Sequence, residues 1–204
     1  MQIKTLKNQL RLIPNEHEYR EHLVDAADSF RTEIMLRVAG EVGLRVGEIA
    51  NAQPRHILAA DDPSLDAHFL AVPEGKDTTG ELENGKYREA YLPSDVERLL
   101  TRFIRTNSIG QTEPIVGVGK RRIQQIYEDI GEVVADKTGR REWVRLSPHD
   151  LRAYYAHTCL VRKGMNPEVV MSAGGWEDYE SIKPYLGGAD QETTTEAFEE
   201  AGLS

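Results

Sequence analysis

The sequence predicts an α+β fold, mainly α-helical, with one small antiparallel β-sheet. Three features predict it. Apolar residues recur at helical spacing in separate stretches, most clearly over 31–42, 95–106 and 148–161. Only 68–72 and 86–92 have strand character, and a turn-rich segment joins them. The 204 residues suit one domain with one sizeable core.

In chain order, residues 1–15 end at Pro14 and read as a linker or a docked arm. His17 to Ala27 carries Tyr19, Leu23 and Val24 at helical spacing, and Arg31 to Val42 places Ile34, Met35 and Val38 in one stripe. Gly43 ends that helix, and Leu44-Arg45 lie at the turn into a second helix, Val46 to Ala52, stopped by Pro54. Arg45 therefore sits at a helix junction, with Glu48 three residues on and able to hold its guanidinium. His68 to Val72 and Lys86 to Leu92 are the strands; Pro73 to Gly85 between them is too long for a tight two-residue turn.

Ser94 is placed as the cap of a helix, Asp95 to Thr106, whose Val96, Leu99, Leu100, Phe103 and Ile104 face the core. Gly117 to Gly119 introduces a further helix running to about Ala135, with Lys120, Arg121 and Arg122 at its N-terminus. The pattern of a phosphate-binding P-loop is absent there. Ser147 and Pro148 open a helix that keeps its apolar spacing to Val161. His149 and Arg152, three apart, share a face near its N-terminus, where the backbone dipole favours an anion. Gly164 closes this helix, and Asn166-Pro167-Glu168 opens the next. Gly174-Gly175-Trp176 breaks the chain and presents an indole N–H, and Tyr185 follows nine residues later. Tyr154, Tyr155 and Tyr179 read as packed aromatics and Cys159 as packing. Asp190 to Leu203 reads as an acidic amphipathic helix whose Ala197, Phe198 and Leu203 dock on the body. The expected division is 1–15 arm or linker, 16–188 main domain and 189–204 acidic tail helix.

The net charge of -9 is unevenly spread. Residues 118–165 hold ten Lys and Arg against six Asp and Glu, whereas 166–204 hold one against nine. The positive segment carries His149 and Arg152, so a basic face sits on an acidic body, as suits a nucleic-acid enzyme, also in a high-salt cytoplasm. One cysteine excludes an internal disulfide framework, in keeping with a reducing cytoplasm. No apolar run approaches the eighteen or so residues of a membrane span, and no His/Cys set has metal-ligand spacing.

His-Asp-Leu-Arg at 149–152, Gly-Gly-Trp at 174–176 and Tyr185 resemble the C-terminal signature of the tyrosine recombinases, the phage integrase and Xer family. Val-Gly-Leu-Arg-Val-Gly-Glu-Ile at 42–49 resembles the family's first arginine box. The resemblance runs from about Ile34 to Tyr185, and its acidic balance would suit a haloarchaeal relative. It implies the fold of a tyrosine recombinase catalytic domain, with a DNA breaking and rejoining activity over 16–188. Two departures stand out: Ala153 where the family often has histidine, and tryptophan in the Gly-Gly-Trp box where histidine is commoner. About 33 residues precede the resemblance, too few for the N-terminal helical domain of full recombinases.

The resemblance also implies roles. Arg45 and Arg152 clamp the non-bridging oxygens of a scissile phosphate, with Glu48 supporting Arg45. His149 assists proton transfer or bonds a phosphate oxygen, and Trp176 donates its indole N–H. Tyr185 attacks to give a 3′-phosphotyrosine link, and a lysine of the β-hairpin protonates the departing 5′-oxygen. Lys76 fits that place best and Lys86 is its rival. Lys120, Arg121 and Arg122 suit DNA phosphates. No metal or other cofactor is expected; the partners are double-stranded DNA and further copies of the chain, as a tetramer on DNA and a monomer when free. The alternatives are a non-catalytic DNA-binding regulator and a type IB topoisomerase-like nicking-closing enzyme.

Overall fold

The computed structural model describes residues 1–6, 9–75, 86–187, 194–195, 198–199 and 201–203. Its helices are α1 (Phe30–Gly40), α2 (Val46–Asn51), α3 (Ser94–Thr106), α4 (Lys120–Thr138), α5 (Pro148–His157), α6 (Pro167–Gly174) and α7 (Tyr179–Ile182). Wider helical turns cover Glu18–Val24 and Thr158–Arg162, the second continuing α5, and 3-10 turns cover Pro54–His56, Arg141–Arg145 and Lys183–Tyr185. The expected α+β class, mainly helical with a small antiparallel sheet, is the one observed.

The arm is a β-hairpin, and neither of its strands was expected. β1 (Gln2–Leu6) pairs antiparallel with β2 (Gln9–Ile13), Gln2 opposite Ile13 and Leu6 opposite Gln9. The main sheet has the order β3 (Ile57–Ala59), β4 (His68–Gly75), β5 (Lys86–Leu92), antiparallel throughout, with Leu70 opposite both Ile57 and Ala90. Strand β3 was missed because three residues carry no readable alternation.

One apolar cluster joins α1, α3, α4, the start of α5 and one face of the sheet. Trp143, Tyr127, Met35 and Leu36 are wholly buried in it, and the Tyr127 hydroxyl donates to the Met35 carbonyl at 2.6 Å. Cutting one such leucine to alanine typically costs about 2–5 kcal/mol. Leu100 and Phe103 on α3 face this core, with Leu99 and Ile104 half-buried at its edge. A smaller cluster of Tyr155, Ala156, Leu160, Val170 and Ile182 lies between α5, α6 and α7, and Trp176 and Tyr185 pack on it.

Several expectations are corrected. Pro93, not Ser94, precedes the first turn of α3, and Ser94 is its first residue. Helix α4 runs on to Thr138, where Gly139 turns left-handed. Tyr179 is 53% exposed and so is not a packed aromatic, because it opens a four-residue helix at the surface. In the C-terminal stretch 194–195 and 198–199 are helical, but Phe198 and Leu203 are 55% and 68% exposed, so these two side chains do not dock on the body. Ala197 lies outside the described residues.

Candidate active site

Arg45 holds the position before α2 in an extended conformation, which leaves its backbone N–H free of the helix ladder. Glu48 takes that N–H on Oε2 at 2.7 Å and the Arg45 Nη1 on Oε1 at 2.8 Å. The Arg45 Nη2 donates to the Gly175 carbonyl at 2.5 Å, so the α2 start is joined to the end of α6. On β5, Arg88 forks the same carboxylate, Nη1 to Oε1 at 3.0 Å and Nη2 to Oε2 at 2.8 Å, while its Nε donates to the Ala173 carbonyl at 3.0 Å. Burial by itself would raise the Glu48 pKa; Arg88, then Arg45, outweigh it and hold it down to about 2.

Arg88 was not among the sequence candidates. A signal for it existed: along β5 Arg88, Ala90 and Leu92 are buried while Tyr87, Glu89 and Tyr91 are exposed. An arginine in phase with Ala and Leu faces the interior and needs a carboxylate there.

Arg152 is buried on α5, where its Nη1 donates to the Gly43 carbonyl and its Nη2 to the Gly174 carbonyl at 2.6 Å. Gly43 sits at φ +76°, and a Cβ there would lie 2.6 Å from the Tyr155 ring, so the turn after α1 excludes other residues. The Trp176 ring covers the Arg152 guanidinium, 3.9 Å from centroid to Cζ, and lies parallel to Tyr155 at 6.3 Å. Burial, with the like charges of Arg45 and Arg88, pushes the Arg152 pKa down to about 9 against the pull of Glu48. Two arginines thus share one carboxylate, with a third held beside them on backbone carbonyls, in a largely desolvated site.

Tyr185 ends the 3-10 turn Lys183–Tyr185 and is half-buried. Its ring meets Trp176 edge-on, with centroids 5.9 Å apart, and packs on Ile13 of β2 and Ala153 of α5. Ala153 is wholly buried in this contact, which explains why a small side chain stands at that position. Burial raises the phenol pKa above 10, opposed by the positive charges of Arg152, Arg11 and Arg45.

The structure therefore brings Arg45, Glu48, Arg152, Trp176 and Tyr185 into one constellation. His149 is exposed at the start of α5 and lines, with Arg45, Glu48, Asn51, Arg55 and Lys120, a cleft of about 620 Å³ between α2, β4 and α4. The Lys120 side chain runs over Gly47 into that cleft, while Arg121 and Arg122 stand exposed beside it at the α4 N-terminus. Arg122 reaches Asp129 at 3.8 Å. Lys76 lies outside the described residues; Lys86 is the first residue of β5, and its side chain also lies outside them.

Comparison with known proteins gives the family and the fold. The model of the phage integrase family matches residues 7–192. The tyrosine recombinase XerA of Pyrococcus horikoshii is 24% identical over 165 residues, covering 80% of this chain and 52% of that protein. A crystal structure of XerA recombinase superposes with a TM-score of 0.70 at 16% identity, covering 93% of this chain and 65% of that one. The XerH site-specific recombinase in a post-cleavage complex with its palindromic difH substrate gives 0.67 at 17% identity, covering 94% and 54%. The chain spans about half the length of the XerA protein that it matches in sequence, and its fold is that of tyrosine recombinase catalytic domains. With most of its length matched, the chain belongs to the phage integrase family.

Proposed function

We propose that this chain is the catalytic domain of a site-specific DNA recombinase or integrase, cleaving and rejoining DNA through a 3′-phosphotyrosine intermediate. The observation that carries the reading is an excess of positive charge in this site: Arg45, Arg88 and Arg152 gather around Glu48, and Arg11 of the hairpin and Asp150 of α5 also act on Tyr185. Desolvated cations in excess of anions favour entry of a phosphate. The relatives' names add support, since XerH is described on its difH substrate in a post-cleavage complex.

In this mechanism Arg45 and Arg152 take two non-bridging oxygens of the scissile phosphate, and their main-chain anchors keep them in place while charge develops. The Tyr185 oxygen attacks phosphorus, its proton passing to a base that includes His149, and the bond to the 5′-oxygen breaks. Lys76 supplies the proton to that oxygen, with Lys86 as its rival. A 5′-hydroxyl from a second strand then reverses the step. Glu48, itself fixed by Arg88, holds Arg45, and Lys120, Arg121 and Arg122 meet flanking phosphates. Residues 16–188 form the catalytic domain, preceded by the hairpin arm and followed by the acidic tail. The partners are double-stranded DNA and further copies of the chain in a cytoplasmic assembly, a tetramer on DNA.

Covalent trapping tests this reading. A pool of nicked duplexes with randomised sequence is incubated with the protein, and adducts are isolated and mapped by peptide. Adduct on Tyr185, lost in Tyr185→Phe with DNA affinity unchanged, is the expected result. Adduct persisting in that variant overturns the nucleophile, with exposed Tyr179 next in line. No adduct on any duplex favours the non-catalytic regulator. Nicking and closing without exchange between two marked duplexes favours the topoisomerase-like reading.

A further inference from the structure

The N-terminal hairpin touches the segment carrying Tyr185, and the helix beneath it, at several separate points. Ile13, wholly buried on β2, packs with Ala153 against the Tyr185 ring. The Leu12 N–H donates to Asp150 Oδ1 at 3.0 Å. Asp150 Oδ2 in turn accepts from the Ser147 N–H at 2.8 Å and its hydroxyl at 2.6 Å, so β2 is tied to the first turn of α5, next to His149 and Arg152. On β1, Lys4 Nζ donates to the carbonyl of Gly187, two residues beyond Tyr185. At the hairpin's end the Pro14 carbonyl accepts from Arg162 Nη2 at 3.0 Å. Arg11 lies two residues before Ile13, on the same strand face, and its positive charge acts on both Tyr185 and Asp150.

The turn that carries Tyr185 is short. Three residues of 3-10 helix set the backbone, but they do not fix the depth or tilt of a half-buried ring. The surfaces that do are Trp176 at the ring's edge, the cluster around Tyr155 and Ile182, and, from the hairpin side, Ile13 with Ala153. Attack on phosphorus needs an oxygen placed at about 3–3.5 Å and in line with the leaving group, and a misplacement of about 1 Å costs on the order of a hundredfold.

We propose that the N-terminal hairpin is the positioning element of the nucleophile. Ile13, together with Ala153, sets the tilt and depth of the Tyr185 ring, and Lys4 tethers the chain just after it. Ile13 and Lys4 are positioning residues, not catalytic ones. The inference rests on reading Tyr185 as the nucleophile.

The test uses the full chain and the nicked duplex on which the wild-type adduct forms. Ile13→Ala, Ile13→Val and Lys4→Ala are compared in single-turnover adduct formation at saturating DNA, with DNA affinity measured separately. Ile13→Ala is expected to give the same Tyr185 adduct with a rate constant about ten- to a hundredfold lower, at full amplitude and unchanged affinity. Ile13→Val, which keeps the branched contact, is expected near the wild-type rate, and Lys4→Ala between the two. A merely structural role gives a different signature: lower amplitude from a smaller folded fraction, with the rate constant unchanged. That signature, or wild-type rate constants in both Ile13→Ala and Lys4→Ala, overturns the proposal. If Ile13→Ala does not fold, Lys4→Ala decides, and a wild-type rate there overturns it. Mapping the wild-type adduct to another residue instead removes the nucleophile assignment itself, a result distinguishable from either.

Discussion

Glu48 holds Arg88 through both carboxylate oxygens, at 3.0 and 2.8 Å, and shares those oxygens with the backbone and side chain of Arg45. One buried anion therefore links the sheet to the helix start that carries a candidate phosphate clamp. Arg88 belongs to the β5 wall and Arg45 to the α2 junction, so loss of Glu48 releases two elements at once.

Removing that carboxylate is expected to cost stability as well as rate. Glu48→Ala leaves Arg88, with 7% of its side chain exposed, without its ion pair. Breaking such a pair typically costs about 3–5 kcal/mol, which urea unfolding will read. Arg88→Lys keeps the charge but loses the two-point fork, so it is expected to fold and yet form adduct more slowly. An unchanged adduct rate in Arg88→Lys would sever the sheet from the clamp.

The acid limb of stability follows from the depressed Glu48 carboxyl. Its folded pKa is about 2 against 4.5 in the unfolded chain, so it contributes fully above pH 4.5 and the contribution is lost as pH falls towards 2. At about 1.36 kcal/mol for each pH unit, the fall from 4.5 to about 2 corresponds to roughly 3 kcal/mol. Glu48→Gln should flatten this limb in unfolding experiments run from pH 6 to 2. A limb as steep as that of the wild type would assign it to other carboxylates.

The excess of positive charge makes a second measurable statement. Inorganic phosphate, compared with chloride at equal ionic strength, is expected to raise Tm, by roughly 2–4 °C for each kcal/mol of binding. Arg152→Met should lose most of that response. Equal responses in the two proteins would mean that phosphate acts through general solvation and not at this site.

The two lysines flanking the β4–β5 connection are separable by chemistry. Lys76→Ala is expected to slow cleavage on the order of a hundredfold or more, and Lys86→Ala far less. A 5′-bridging thiolate leaves without protonation, so it should rescue Lys76→Ala. Rescue of Lys86→Ala alone would exchange the two assignments.

Much of this molecule is legible in its sequence. Helices α1, α3, α4 and α5 follow from apolar periodicity, and the left-handed glycines at 43, 139, 164 and 175 mark where the chain breaks. Arg45, Glu48, Arg152, Trp176 and Tyr185 stand out through the resemblance of their short motifs to the family's boxes, and tertiary folding gathers them. Arg88 escaped because its meaning depends on which face of β5 turns inward, which the partner Glu48, forty residues earlier, decides. The β1–β2 hairpin escaped for a similar reason: its strands are five residues each, and Ile13 finds its contacts 140 and 172 residues away, on Ala153 and Tyr185. The exposure of Tyr179 was hidden likewise, since an aromatic in a short surface turn looks in sequence like any packed one.

Arg45 and Arg152, the two candidate clamps, lean on the carbonyls of Gly43, Gly174 and Gly175. A carbonyl is chemically anonymous: every residue has one, it does not ionise, and salt screens it far less than it screens a pair of exposed charges. The grip on Arg152 is thus written in backbone shape and not in side-chain identity. Beyond the Trp176 ring that covers Arg152, side chains at the surface can turn acidic, as this protein's have, without loosening it. What cannot drift is the pair of left-handed turns at Gly43 and Gly175, which aim those oxygens inward.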